Sequence, residues 1–162
     1  MEQTAKPGRR TWFVLWAAFT AAPVVYYVVS TFVAGTATAA PSLATLRLAF
    51  AALALVQLSG GAYLLTRAPR MRSDLPGLGG FFGNDALATP AAFQLGFVVA
   101  TAFVEACAVL GFVLVFLGAP PAEYIPYGAA SLAVMVAVAL PTGLGYWNER
   151  ERLDAGGAGP IA

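Results

Sequence analysis

A carboxyl group in the middle of a long apolar run is the part of this sequence best placed to do chemistry. Glu105 lies near the centre of QLGFVVATAFVEACAVLGFVLVFLG, residues 94–118. A charged side chain at the centre of a bilayer costs about 3 kcal/mol or more, so this group is either protonated or faces a partner. Two roles stand open: a step in proton or ion passage, or a neutral carboxyl that hydrogen-bonds a neighbouring helix. Gln57 lies near the same depth on another apolar run, and Thr101 lies one turn before Glu105 on the same helical face. Glu105, Gln57 and Thr101 are the candidate ion-binding set. Arg47 falls about 10 Å from mid-membrane toward the outer side, at 1.5 Å of rise per residue. Snorkelling to the outer headgroups is its preferred reading over an ion pair with Glu105.

The remaining inventory is narrow. The chain has no histidine and one cysteine, Cys107. Bis-histidine haem, histidine-bearing zinc or copper sites, a CxxC thiol pair and a histidine-dependent triad are all excluded. No metal site and no cofactor are expected, and an intramembrane enzyme is the weakest functional reading. Nine basic against eight acidic side chains leave no basic surface for nucleic acid.

The elements that position these residues follow from composition. Of 162 residues, 59% are hydrophobic and 10% charged, against about 25% charged in a soluble domain. A bilayer core about 30 Å thick takes roughly 20 apolar residues per helix. Four stretches qualify: residues 11–33, 42–65, 92–117 and 124–147. Backbone polar groups find no partner in lipid, so these read as helices, and the fold class is an all-α polytopic membrane protein with four transmembrane helices in one domain. Residues 34–41 and 118–123 form short outer connections, residues 67–91 a longer inner loop, and residues 148–162 a flexible tail.

Lys6, Arg9 and Arg10, then Arg67, Arg70 and Arg72, then Arg150 and Arg152 all fall on one side of this arrangement. Both termini are therefore expected in the cytoplasm, with the protein in the inner (cytoplasmic) membrane of the cell. Trp12, Trp16, Tyr63, Tyr146 and Trp147 lie at the inner interface, and Tyr26, Tyr27, Tyr124 and Tyr127 toward the outer one. Basic residues, an apolar run and then Ala37-Thr38-Ala39-Ala40-Pro41 imitate a secretory signal. The run is about twice the usual core length of such a signal, which favours a spanning helix.

Several side chains are candidates for contacts rather than chemistry. Gly96, Ala100, Cys107 and Gly111 form a small-residue stripe where another helix can approach closely. Cys107 belongs to it as a small packing residue. At about 100° per residue, Glu105 points nearly the opposite way, so its neighbour is not the helix packed on the stripe. Phe81 and Phe82 stand in a Gly- and Pro-rich setting as lipid or partner contacts, with the headgroup region preferred. Pro23 and Pro141 should bend the first and fourth helices.

The segment from Gln94 to Gly118 resembles the carboxylate-bearing helix of rotary ATP synthase c subunits. Glu105, Ala106, Ala108, Gly111 and Phe116 fall in places similar to that family's pattern, after an inner loop with Arg and Pro. The whole chain also resembles bacterial four-helix membrane proteins with a c-like second half. The resemblance implies a proton-binding Glu105. It does not extend to a turning ring, because residues 43–65 lack the repeated Gly-x-Gly pattern and two further helices flank the unit. The expected function is a non-enzymatic membrane subunit of a larger assembly with a proton- or ion-binding carboxylate. The alternative is a structural accessory subunit of a respiratory, photosynthetic or transport complex, with Glu105 as an interhelix hydrogen-bonding group. The expected partners are the lipid bilayer and membrane proteins or further copies of this chain.

Overall fold

The computed structural model describes residues 7–35, 43–71 and 86–156, all but a few of them helical and with no strand among them. Helix α1 spans Pro7–Val33, α2 Leu43–Arg67, α3 Pro90–Phe116, α4 Ile125–Val134 and α5 Leu140–Gly156. A π-helical turn, Met135–Ala139, joins α4 to α5, so one continuous helical rod supplies the fourth span. Among the described residues four segments are long and apolar enough to cross a membrane: Gly8–Val33, Leu43–Arg70, Pro90–Phe116 and Pro121–Gly156. At 27 residues, α1 and α3 are each about 40 Å long, more than the hydrocarbon core requires.

The helix ends are written into the sequence. Thr89 caps α3 by accepting a hydrogen bond from the Ala92 amide, and Pro90 occupies the first turn, where its missing N–H is no loss. At the other end Gly118 adopts a φ of 97°, and the amides of Gly118 and Ala119 return to the carbonyls of Val115 and Leu114. This is a Schellman closure, and the left-handed residue at its centre favours glycine. A 3₁₀ turn, Pro121–Tyr124, then starts the fourth span, and Pro126 sits harmlessly in the first turn of α4. The π turn lies just before Pro141. That proline has no N–H to offer and its ring crowds the carbonyl four residues earlier, so the helix widens and the Leu140 amide reaches back to Met135 instead. The helix then runs nine residues past Trp147, to Gly156, where the sequence pointed to a flexible tail. Arg150 and Asp154, one turn apart and paired at 3.5 Å, support this solvent-exposed stretch.

α3 is the hub. It packs on α2, on α1 and on α4, whereas α1 and α2 have no packed interface with each other among the described residues. Half of the most apolar window of α3 is buried, against 11% for the corresponding window of α1. α1 and the end of α5 meet through the Arg9–Glu151 ion pair at 2.8 Å, and the Gln94 amide donates to the Gly8 carbonyl at 3.0 Å. This end is hereafter the terminal end, and the opposite one, with the α3–α4 connection, the turn end.

The largest core lies near the terminal end. Trp12, Phe93, Phe97, Tyr146 and Trp147 are all buried there. Phe93 stacks on Tyr146 at 3.8 Å between centroids, and Trp12 meets Phe97 edge-on at 5.8 Å. Such pairs contribute roughly 0.5–1.5 kcal/mol each beyond the area they bury. Trp12 seats its indole directly on Gly143, and the Tyr146 hydroxyl donates to the Ala88 carbonyl at 2.9 Å. Trp12, Tyr146 and Trp147, placed at an interfacial belt from sequence, thus point into the protein. Packing against neighbouring aromatic rings replaces headgroup contact. Tyr63 remains exposed, and Arg67 lies 5.4 Å over its ring.

Candidate functional site

The small-residue face of α3 is occupied by helices. Gly61 of α2 lies so close that a Cβ there would come within 2.7 Å of Val104 Cγ2 and 3.1 Å of the Ala100 carbonyl oxygen. Gly111 receives Tyr127, whose Cβ would be 2.6 Å from a methyl group at that position, and the Cys107 thiol lies 3.6 Å from the Tyr127 carbonyl. Gly96 and Ala100 are buried on the same helix. The stripe therefore receives α2 near its middle and α4 toward the turn end.

Glu105 faces another way and is still inside the protein. It is 7% exposed, and neither carboxylate oxygen has a hydrogen-bond partner. No basic residue approaches it closely enough to pair, among the described residues. Its neighbourhood is defined by the next turn of α3, where Ala108 packs with Val115 and Tyr124, flanked by Tyr26, Val33 and Phe112.

Tyr124 joins three elements at this point. Its ring is buried in the cluster with Ala108, and its hydroxyl donates to the Pro23 carbonyl of α1 at 2.6 Å. Gly128, the next position on the same face, leaves room for the phenol: a Cβ there would overlap the ring. On the far side of Tyr124 an apolar groove of about 320 Å³ opens between α1 and α4, lined by Pro23, Val24, Tyr27, Tyr124, Gly128 and Leu132 among others. One turn further along α4, Ser131 is fully buried and its hydroxyl has no partner. The antiparallel register that sets Tyr127 against Gly111 places Ser131 at the depth of residues 104–107.

The other candidate residues do not gather around Glu105. Gln57 is half-buried on α2 and its side-chain carbonyl is unpartnered, so no Gln57–Glu105 hydrogen bond exists. The cause is helical phase: α2 packs on the small-residue face, and Glu105 points away from that face. The Thr101 hydroxyl is turned back on its own helix, 2.8 Å from the Phe97 carbonyl and 3.1 Å from that of Val98. Arg47 does not reach Glu105. It forms a two-pronged ion pair with Glu123 at 2.7 and 2.6 Å, tying α2 to the α3–α4 connection at the turn end. Phe81 and Phe82 lie outside the described residues. Among those residues no cluster of His, Cys, Asp or Glu is able to hold a metal ion.

Sequence reasoning passed over Tyr124, Ser131, Pro23 and Glu123 as site residues. A signal for the first two was present: Tyr124, Gly128, Ser131 and Met135 recur at spacings of four, three and four, one face of a helix. Nothing local marks the Pro23 carbonyl as an acceptor. Comparison with protein-family models, curated proteins and solved structures gives no match.

Proposed function

We propose that this chain is a non-enzymatic integral membrane subunit whose Glu105 binds and releases a proton near mid-membrane. The observation that carries this reading is a carboxyl group that is almost wholly buried yet has both oxygens unpartnered. A buried polar group left unpaired costs about 1–3 kcal/mol, and a buried charge more, so the site favours the neutral form and a reversible proton. A proton fits better than a metal cation. Calcium, for example, takes about six to eight oxygen ligands, whereas the unpartnered buried side-chain oxygens among the described residues belong only to Glu105, Ser131 and Gln57. The distribution of basic residues supports an orientation with both termini cytoplasmic.

The test is infrared spectroscopy of the protein in lipid across a pH series. A carboxyl band that interconverts reversibly with a carboxylate band, and is absent from Glu105→Gln, is expected. Glu105→Gln should also abolish ion-coupled activity while the protein still assembles. A pH-invariant spectrum, or a Glu105→Gln variant equal to wild type in every transport and growth assay, overturns the reading.

A second observation supports the subunit role. Leu95, Ala102, Val109 and Phe116 recur every seven residues on α3 and are exposed, so the hub helix keeps one uncovered stripe between α1 and α2. A membrane-protein partner or a second copy would cover it. Native purification should recover the protein with larger partners or as a multimer, and recovery as a bare monomer counts against the assembly.

A further inference from the structure

We propose that the proton held on Glu105 is donated to the backbone carbonyl of Phe19 on α1, which Pro23 releases from its own helix. This inference rests on the proton-binding reading above and names the group that receives the hydrogen bond. Proline has no N–H, so the carbonyl four residues before Pro23, that of Phe19, lacks the donor that an α-helix normally supplies. Within a membrane such a carbonyl is satisfied by a neighbouring helix, a side chain or water.

The register of α1 against α3 sets Phe19 opposite Glu105. The Gln94 amide bonds the Gly8 carbonyl at 3.0 Å, and the ring of Phe112 lies 5.9 Å from that of Tyr26. The partners in both contacts are 86 positions apart in the chain, and the same separation brings Glu105 to Phe19. Gln94, Glu105 and Phe112 follow one another at eleven and seven residues, three turns and two, so they share one face of α3 to within about 20°. Gly8, Phe19 and Tyr26 repeat that spacing on α1, and Pro23 is fully buried, which places the released carbonyl on the inward face. Glu105 thus stands to Phe19 as Gln94 stands to Gly8, a polar side chain of α3 before a carbonyl of α1. The difference is chemical. Gln94 brings its own donor, whereas an ionised carboxylate and a carbonyl are both acceptors, and only the protonated carboxyl has an O–H to give. One proton therefore satisfies two groups that each lack a donor: Glu105, with both oxygens unpartnered, and the Phe19 carbonyl.

The experiment uses the full chain in lipid vesicles, titrated with protons alone. Phe19-Thr20 is the only Phe-Thr step in the sequence, so isotopic labels on phenylalanine carbonyls and threonine nitrogens single out the Phe19 carbonyl in solid-state NMR. Its signal should move downfield on acidification with the same midpoint as the Glu105 carboxyl infrared band, and stay fixed in Glu105→Gln. Pro23→Ala gives the Phe19 carbonyl a helical N–H. That variant should bind the Glu105 proton roughly fivefold more weakly, the factor that one ordinary hydrogen bond represents, and its Phe19 signal should no longer follow pH. Pro141→Ala makes the same exchange in the fourth span and should leave the affinity unchanged. A Phe19 signal that ignores pH in the unaltered protein while the carboxyl band titrates overturns the hydrogen bond and leaves proton binding by Glu105 standing. No weakening in Pro23→Ala, or equal weakening in Pro141→Ala, overturns it as well. If neither the signal nor the band responds to pH, both readings fall.

Discussion

Single hydrogens in place of methyl groups hold much of this protein together. At Gly143 a Cβ would fall on the indole of Trp12, and that indole is fully buried with Phe97 at its edge. Gly143→Ala is therefore expected to cost about 1–3 kcal/mol, the usual penalty for overpacking a filled core. A denaturing-detergent titration followed by tryptophan fluorescence measures it. Gly145, two residues on, faces open space. Gly145→Ala should be neutral or stabilising by up to about 1 kcal/mol, because alanine is the better helix former. Equal losses in both variants would show that helix propensity, not the Trp12 contact, is at stake. The sequence showed both glycines and Trp12 but not which glycine met the ring, because residues 131 positions apart carry no mutual signal. Glu105 was legible on its own, since a carboxyl in an apolar run is conspicuous. Its freedom from partners was not, because Gln57 shares its depth but not its direction.

At the scale of elements, the π turn is the feature with the clearest mechanical role. The Met135 carbonyl accepts from the Leu140 amide within the turn and from the Trp16 indole of α1 at 3.0 Å. The widened turn is thus pinned to the neighbouring helix. Trp16→Phe keeps most of the ring and removes the donor. Interhelix hydrogen bonds in membranes average about 0.6 kcal/mol and reach roughly 1.7. The variant should lose an amount in that range, smaller than the loss at Gly143, in the same detergent titration. A loss above about 3 kcal/mol would mean that the indole acts through shape. The four spans themselves were readable from length and hydropathy alone, within a few residues at most ends. The main exception is the fourth, where charged residues after Trp147 suggested a tail but continue the helix by pairing along its surface. Pro141 announced a distortion but not its form, a widened turn whose Met135 carbonyl also accepts from Trp16 of α1.

At the scale of the whole molecule, sidedness is the property most open to a direct test. The Arg9–Glu151 pair places both described ends of the chain together. The clustering of basic residues at the same end predicts a cytoplasmic location. A reporter fused after residue 162 should be active only as a cytoplasmic reporter, and a periplasmic signal from that fusion reverses the orientation. Helix number and the expected orientation come from hydropathy and charge, but which helix occupies the centre does not. α3 earned suspicion through its small-residue stripe, yet its position between α1 and α2 reflects the fit of Gly61 against Val104 and of Tyr127 against Gly111. That central position also has a consequence for biogenesis. The chain leaves the ribosome from its N-terminus, so α1 and α2 enter the bilayer before the helix on which both depend. Having no packed interface with one another, they must wait as separate, lipid-solvated rods until α3 arrives. Assembly is then a closing of two earlier helices onto a later one, and a protein halted before residue 90 should insert without associating.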